Sequence, residues 1–181
     1  FDSHRGVDYD SANPPLYDSS TFHQKTLGGG AQYDYARSGN PNRALLEEKL
    51  AKLEGGSHAF AYASGIAAIS AVLLTLNAGD HVILPDDVYG GTFRLTEQIL
   101  TRFNIQFSTI DTTHLNEIEE AIQDNTKLIY IETPSNPLFK ITDIRGAADI
   151  AKKHHLKLAV DNTFMTPLGQ SPLTLGADIV V

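Results

Sequence analysis

From Ala59 onward, short apolar runs alternate with stretches whose apolar residues recur at helical spacing. This β-α repetition constrains the fold more than any other feature of the chain. Strands are expected over 59–63, 81–84, 105–110, 127–132, 156–160 and 177–181, and helices over 65–76, 92–102, 115–123 and 144–154. A further helix is expected from Asn42, where Leu45, Leu46, Leu50 and Leu53 precede the stop at Gly55-Gly56. Runs such as Leu128-Ile129-Tyr130-Ile131 and Leu158-Ala159-Val160 are apolar without alternation. Strands covered on both faces read that way, so an α/β fold is expected, its sheet mainly parallel with helices on both faces.

The first forty residues break the pattern. Asn13-Pro14-Pro15, Gly28-Gly29-Gly30 and Gly39-Asn40-Pro41 punctuate a stretch with poor apolar periodicity. Residues 1–41 are therefore expected to form an extended arm that packs on a neighbouring subunit, and 42–181 the first part of a larger domain. No internal repeat or low-complexity tract interrupts the chain.

Composition narrows the partners. The 181 residues are 41% hydrophobic and 20% charged, enough for one well-cored domain. With 22 acidic against 14 basic residues the formal net charge is −8, which repels nucleic acid and anionic membrane surfaces. The absence of cysteine excludes disulfides, thiolate metal sites and cysteine nucleophiles within this stretch, and fits a cytoplasmic setting. The longest apolar run, 63–76, is interrupted by Ser64, Gly65, Ser70 and Thr75 and is shorter than the roughly 20 residues of a membrane span. No leader pattern is visible at Phe1, and the chain stops inside an expected strand, so a chain cut short is expected.

Common motifs are missing. No G-x-G-x-x-G, G-x-x-x-x-G-K-[ST] or H-E-x-x-H occurs, and Tyr62-Ala63-Ser64-Gly65-Ile66 lacks the first glycine of a serine-hydrolase elbow. No metal site is expected; the adjacent His154 and His155 point apart on a helix end.

Ligands bind at the carboxyl ends of parallel strands. The expected ends carry Ser64-Gly65, Asp86-Asp87-Val88-Tyr89, Glu132-Thr133-Pro134-Ser135-Asn136-Pro137 and Asp161-Asn162-Thr163. Ser64-Gly65-Ile66 at a helix start offers backbone N–H groups to an anion, or simply an N-cap serine. Asp161 closes an apolar strand, where a carboxylate needs a cation or hydrogen-bond donors, or serves as a structural cap. Tyr89 can stack on a planar ligand or pack as an ordinary amphipathic ring.

Taken together, five motifs in order resemble the Cys/Met-metabolism family of pyridoxal-phosphate enzymes, the transsulfuration enzymes. They are Tyr35-Ala36-Arg37-Ser38-Gly39-Asn40-Pro41, Ser64-Gly65-Ile66-Ala67-Ala68, Asp87-Val88-Tyr89-Gly90-Gly91-Thr92, Glu132-Thr133-Pro134-Ser135-Asn136-Pro137 and Val160-Asp161-Asn162-Thr163-Phe164. The resemblance implies the fold type I architecture of pyridoxal-phosphate-dependent transferases. It implies that Ser64, Gly65 and Ile66 bind the cofactor phosphate, and that Tyr35 and Arg37 reach the phosphate of a neighbouring subunit. Tyr89 would stack on the pyridine ring, Asp161 would pair with the ring nitrogen, and Thr163 would support it. Asn136 would bind the phenolic oxygen and the substrate carboxylate. The Schiff-base lysine is expected beyond Val181, because no lysine present stands in the family's Ser-x-Thr-Lys segment.

The resemblance further implies a homo-oligomer, a dimer with shared active sites assembled into a tetramer, and a small sulfur amino acid as substrate. Asp34 would meet the distal ammonium of cystathionine, or stay a solvated arm residue. Asp34 and the Tyr89-Gly90-Gly91-Thr92 form place γ-elimination of cystathionine first, γ-replacement next, with β-elimination as the other family reaction. Gly91 stands where methionine γ-lyases carry cysteine, which counts against that activity. A fold type I aminotransferase and a non-catalytic cofactor-binding fragment are the more distant readings.

Overall fold

The computed structural model describes residues 11–181; the first ten residues of the expected arm lie outside the described residues. The chain divides into two units, with the boundary between Leu50 and Ala51.

In the first unit regular structure is sparse. Single antiparallel bridges link Thr21 with Tyr35 and Thr26 with Gly29. The Phe22 N–H donates to the Asp34 carbonyl at 2.8 Å, and the Ala36 N–H to the Ser20 carbonyl at 2.8 Å. Helix α1, Pro41–Glu54, whose last four residues belong to the second unit, starts with a proline at its first position, where the missing N–H costs nothing. The Asn40 side chain accepts from the Asn42 N–H at 2.8 Å just ahead of the first turn.

In the second unit, α2 (Gly65–Leu73), β1 (His81–Pro85), α3 (Gly90–Gln98), β2 (Gln106–Ile110), α4 (Leu115–Glu120), β3 (Thr126–Glu132), α5 (Ile144–Lys153), β4 (Lys157–Asp161), α6 (Thr166–Gly169) and β5 (Ile179–Val180) follow in order. All strand pairs are parallel, in the order β2-β1-β3-β4-β5.

Period-two alternation splits the strands between two cores. Val82, Leu84, Leu128, Tyr130 and Ala159 pack with Ile69 and Leu73 of α2. Ile83, Ile129, Ile131, Leu158 and Val160 pack on the other face with Ile118 of α4 and with Ile144, Ala147 and Ala151 of α5. The buried positions of α5 fall at i, i+3, i+4 and i+7, one apolar stripe. Its ends are marked by the Asp143 side chain accepting from the Gly146 N–H and by Lys152 and Lys153 in the last turn. The α/β architecture with helices on both faces is as expected.

Some boundaries differ. Residues 59–63 form no strand of this sheet; Phe60 and Tyr62, alternating with alanines, are exposed instead of joining a continuous apolar run. The helix expected over 92–102 is α3 followed by a 3₁₀ turn, Leu100–Phe103, which ends at Asn104 with φ of 59°. The last strand is only two residues long, and α6 and a 3₁₀ turn, Pro172–Leu175, fill the approach to it. Among the described residues no helix is long and apolar enough to cross a membrane.

Candidate active site

The strand order fixes where a ligand can enter. The chain leaves β1 for β2 on one side and reaches β3 on the other, so the loops after β1 and β3 diverge and open a crevice at their carboxyl ends. Carboxylates tie these loops. Glu132, at the end of β3, accepts from the Tyr89 N–H through Oε2 and from the Asn136 N–H through Oε1, both at 2.8 Å. Asp87 accepts from the Ser135 hydroxyl and, at 3.0 Å, from the Leu138 N–H. Lys140 Nζ bridges Asp86 at 2.9 Å and Asp111 at 2.8 Å; these charge-assisted bonds hold the Asp111 carboxyl well below the usual carboxylate range.

Helix α2 opens on the same crevice. Ser64 is its N-cap, and the hydroxyl accepts from the Ala67 N–H at 3.3 Å. The Gly65 and Ile66 N–H groups belong to the first turn, which has no intrahelical acceptors. A Cβ at Gly65 would meet no atom within 4 Å, so the packing of the chain does not require glycine there.

Asp161 ends β4 and is 5% exposed. Its Oδ1 accepts from the Thr163 N–H at 3.0 Å and the Thr163 hydroxyl at 2.5 Å, and Oδ2 from the Tyr130 hydroxyl at 3.1 Å. Asp161 thus caps the following turn and also lines a cavity. Tyr89 precedes α3, and a side chain at Gly91 would overlap its ring, lying 3.0 Å from Cδ1.

One cavity of about 320 Å³ joins these pieces, a volume suited to a small ligand. It is lined by Ser64, Gly65, Ile66, Ile69, Tyr89, Glu132, Asn136, Asp161, Thr163 and Phe164, all of the second unit. Seven of the residues expected at the site thus meet in one place. Phe164 stacks on Phe139 with centroids 5.3 Å apart. Among the described residues the lining holds two carboxyl groups and no cationic side chain. Burial pushes the Glu132 carboxyl up to about 7 against the two N–H bonds it accepts, and Asp161 and Asp87 add to the rise. Burial likewise raises the Tyr130 phenol well above its ordinary value, with Asp161 and Glu132 adding to it.

A larger cavity of about 600 Å³ lies at the opposite end of β4, between α5 and the 3₁₀ turn 172–175. None of the expected residues lines it, and its Lys157 is paired with Asp178 at 2.7 Å.

Asp34, Tyr35 and Arg37 belong to the first unit. Arg37 Nη2 donates to the Tyr35 hydroxyl at 3.0 Å, with its guanidinium 4.9 Å from the Tyr35 ring centroid. Asp34 Oδ1 accepts from the Tyr35 N–H at 2.6 Å, so this carboxylate has a local structural use.

Sequence reasoning placed Glu132 and Phe164 within motifs at the site edge but gave neither a role, and did not mark Ile69 of the lining or Tyr130 behind Asp161. For Glu132 a signal was present: like Asp161, it closes an apolar strand.

The sequence matches the family described as Cys/Met metabolism PLP-dependent enzyme over residues 2–181. It is 84% identical over 181 residues to a protein of Staphylococcus haemolyticus named cystathionine beta-lyase MetC, covering all of this chain and 46% of that protein. It is 53% identical over 167 residues to the cystathionine gamma-lyase of Bacillus subtilis, covering 92% of this chain and 44% of that one. Among solved structures, that of cystathionine gamma-lyase from Lactobacillus plantarum complexed with L-serine superposes with a TM-score of 0.89 at 51% identity, over 92% of this chain and 43% of that chain. The chain spans about half the length of the relatives it matches.

Proposed function

The chain belongs to the Cys/Met metabolism PLP-dependent enzymes, and from that footing we propose that the full-length protein is a pyridoxal-phosphate-dependent lyase cleaving the Cβ–S bond of cystathionine. The observation that carries this reading is the single cavity in which the α2 N-terminus, the Tyr89 ring and the buried Asp161 carboxylate converge.

These residues suit the cofactor's three chemical parts. The first-turn N–H groups of Gly65 and Ile66, open because residue 65 has no side chain, suit a phosphate. The Tyr89 ring suits the face of a pyridine. Asp161 supplies the anion that a protonated ring nitrogen needs, in a lining whose described residues offer it no competing cation. When bound, the cofactor supplies an electron sink for the carbanion left at the substrate Cα.

Asp161 holds the proton at the ring nitrogen, and Thr163 and Tyr130 hold Asp161 in place. Asn136 orients the substrate carboxylate. Tyr35 and Arg37 complete the phosphate site of a neighbouring subunit, within a dimer that assembles further into a tetramer. Asp34, on the same arm, meets the distal ammonium of cystathionine at that neighbouring subunit's site. Cystathionine and water then give homocysteine, pyruvate and ammonia.

Asp34 and the Tyr89-Gly90-Gly91-Thr92 form favoured γ-elimination in the sequence. The greater similarity to the staphylococcal beta-lyase than to the Bacillus gamma-lyase moves β-elimination ahead. Product analysis on the full-length protein with cystathionine tests the reading. Pyruvate with homocysteine is expected; 2-oxobutanoate with cysteine would instead assign γ-elimination, and no keto acid would overturn the lyase reading.

A further inference from the structure

Glu132 is 5% exposed, lines the cavity, and has each carboxyl oxygen engaged by a backbone N–H from a different part of the rim. One donor is Tyr89, 43 residues earlier in the chain; the other is Asn136, four residues later. Joining the two loops does not by itself require this residue. Asp87 with Ser135 and Leu138, and Lys140 with Asp86 and Asp111, already tie them. Those ties end on residues outside the cavity lining, whereas both partners of Glu132 belong to it. The position is also costly. Glu132 is the register partner of Asp161, a second buried carboxyl, and Asp87 stands nearby. A costly buried group that touches two lining residues points to the site more than to the fold.

We propose that Glu132 is a positioning residue, which fixes the Tyr89 ring and the Asn136 amide against the cofactor by accepting one backbone N–H from each. This rests on the reading of the cavity as a pyridoxal-phosphate site. Glu132→Gln leaves one acceptor oxygen and turns an NH₂ group toward the other N–H. Glu132→Asp keeps both oxygens and withdraws them by one methylene, and serves if the glutamine variant does not fold.

Amide hydrogen exchange on the cofactor-free full-length protein tests the clamp alone. Exchange at the Tyr89 and Asn136 N–H groups should quicken about tenfold, with Ile129 and Ile131 unchanged. Titration with pyridoxal phosphate should then show about tenfold weaker binding and a reduced visible circular dichroism band of the bound cofactor. Unchanged exchange at both amides, or a uniform rise across β3, would overturn the clamp. Faster local exchange with unaltered affinity and dichroism would overturn the positioning role. Failure of the unsubstituted full-length protein to bind pyridoxal phosphate would overturn the cofactor reading itself, whatever the exchange rates.

Discussion

Glu132 and Asp161 are register partners at the carboxyl ends of β3 and β4, so neighbouring parallel strands bring two buried carboxyl groups to one cavity wall. Two backbone N–H groups stabilise the first; a backbone N–H and two hydroxyls stabilise the second. Glu132 titrates in the folded protein at about 7 against an ordinary value of 4.5. A group raised on folding contributes stability that is full below the lower value and lost as pH rises through the higher one. The cofactor-free full-length protein should therefore lose stability from this group between about pH 4.5 and 7. Glu132→Gln lacks the titration, so the melting-temperature advantage of the parent should shrink by several degrees across that window. An advantage that grows with pH would contradict the assignment.

Gly65 separates ligand demands from folding demands. Since a Cβ there meets open space, Gly65→Ala should change stability by no more than about 0.5 kcal/mol, measured by denaturant unfolding. The same methyl group would stand where a phosphate must approach the α2 N–H groups, so cofactor binding should weaken by at least about tenfold. Equal cofactor affinity would place the phosphate elsewhere.

Gly91 is required by its neighbour. Gly91→Ala would push against the Tyr89 ring, which can rotate aside, so stability should fall by less than about 1 kcal/mol. Moving the ring should lower kcat/KM for cystathionine about tenfold. A variant with unaltered kinetics would detach the Tyr89 pose from the reaction.

Much of this was legible in the sequence where burial has a period. Strands β3 and β4 and helix α5 were found because the apolar runs 128–131 and 158–160 and the Ile144, Ala147, Ala148, Ala151 stripe are unambiguous. Residues 59–63 misled because alanine alternating with Phe60 and Tyr62 imitates a strand, while membership of a sheet depends on a neighbouring strand. Asp161 was singled out and Glu132 was not, although both end apolar strands. What distinguishes Glu132 is a main-chain donor, Tyr89, delivered by the loop after β1, and only strand order brings that loop alongside. The stacking of Phe139 on Phe164 is equally a product of tertiary packing.

Arg37 tests the assembly. If its guanidinium serves a neighbouring subunit, Arg37→Ala and Asp161→Asn chains, each inactive alone, should regain activity when mixed and allowed to exchange subunits. Hybrid sites can draw each intact residue from a different chain, so up to about a quarter of parental activity is expected. No recovery after confirmed exchange would place Arg37 at the site of its own chain.

On the proposed reading the cavity holds the cofactor with its ring nitrogen against Asp161. Nitrogen-15 NMR of the full-length protein loaded with ring-labelled pyridoxal phosphate reads that contact directly. A protonated pyridine nitrogen is expected in the parent and an unprotonated one in Asp161→Asn, with kcat lowered at least about a hundredfold and the cofactor retained. The same protonation state in both proteins, or near-normal turnover in the cofactor-loaded variant, would contradict that reading.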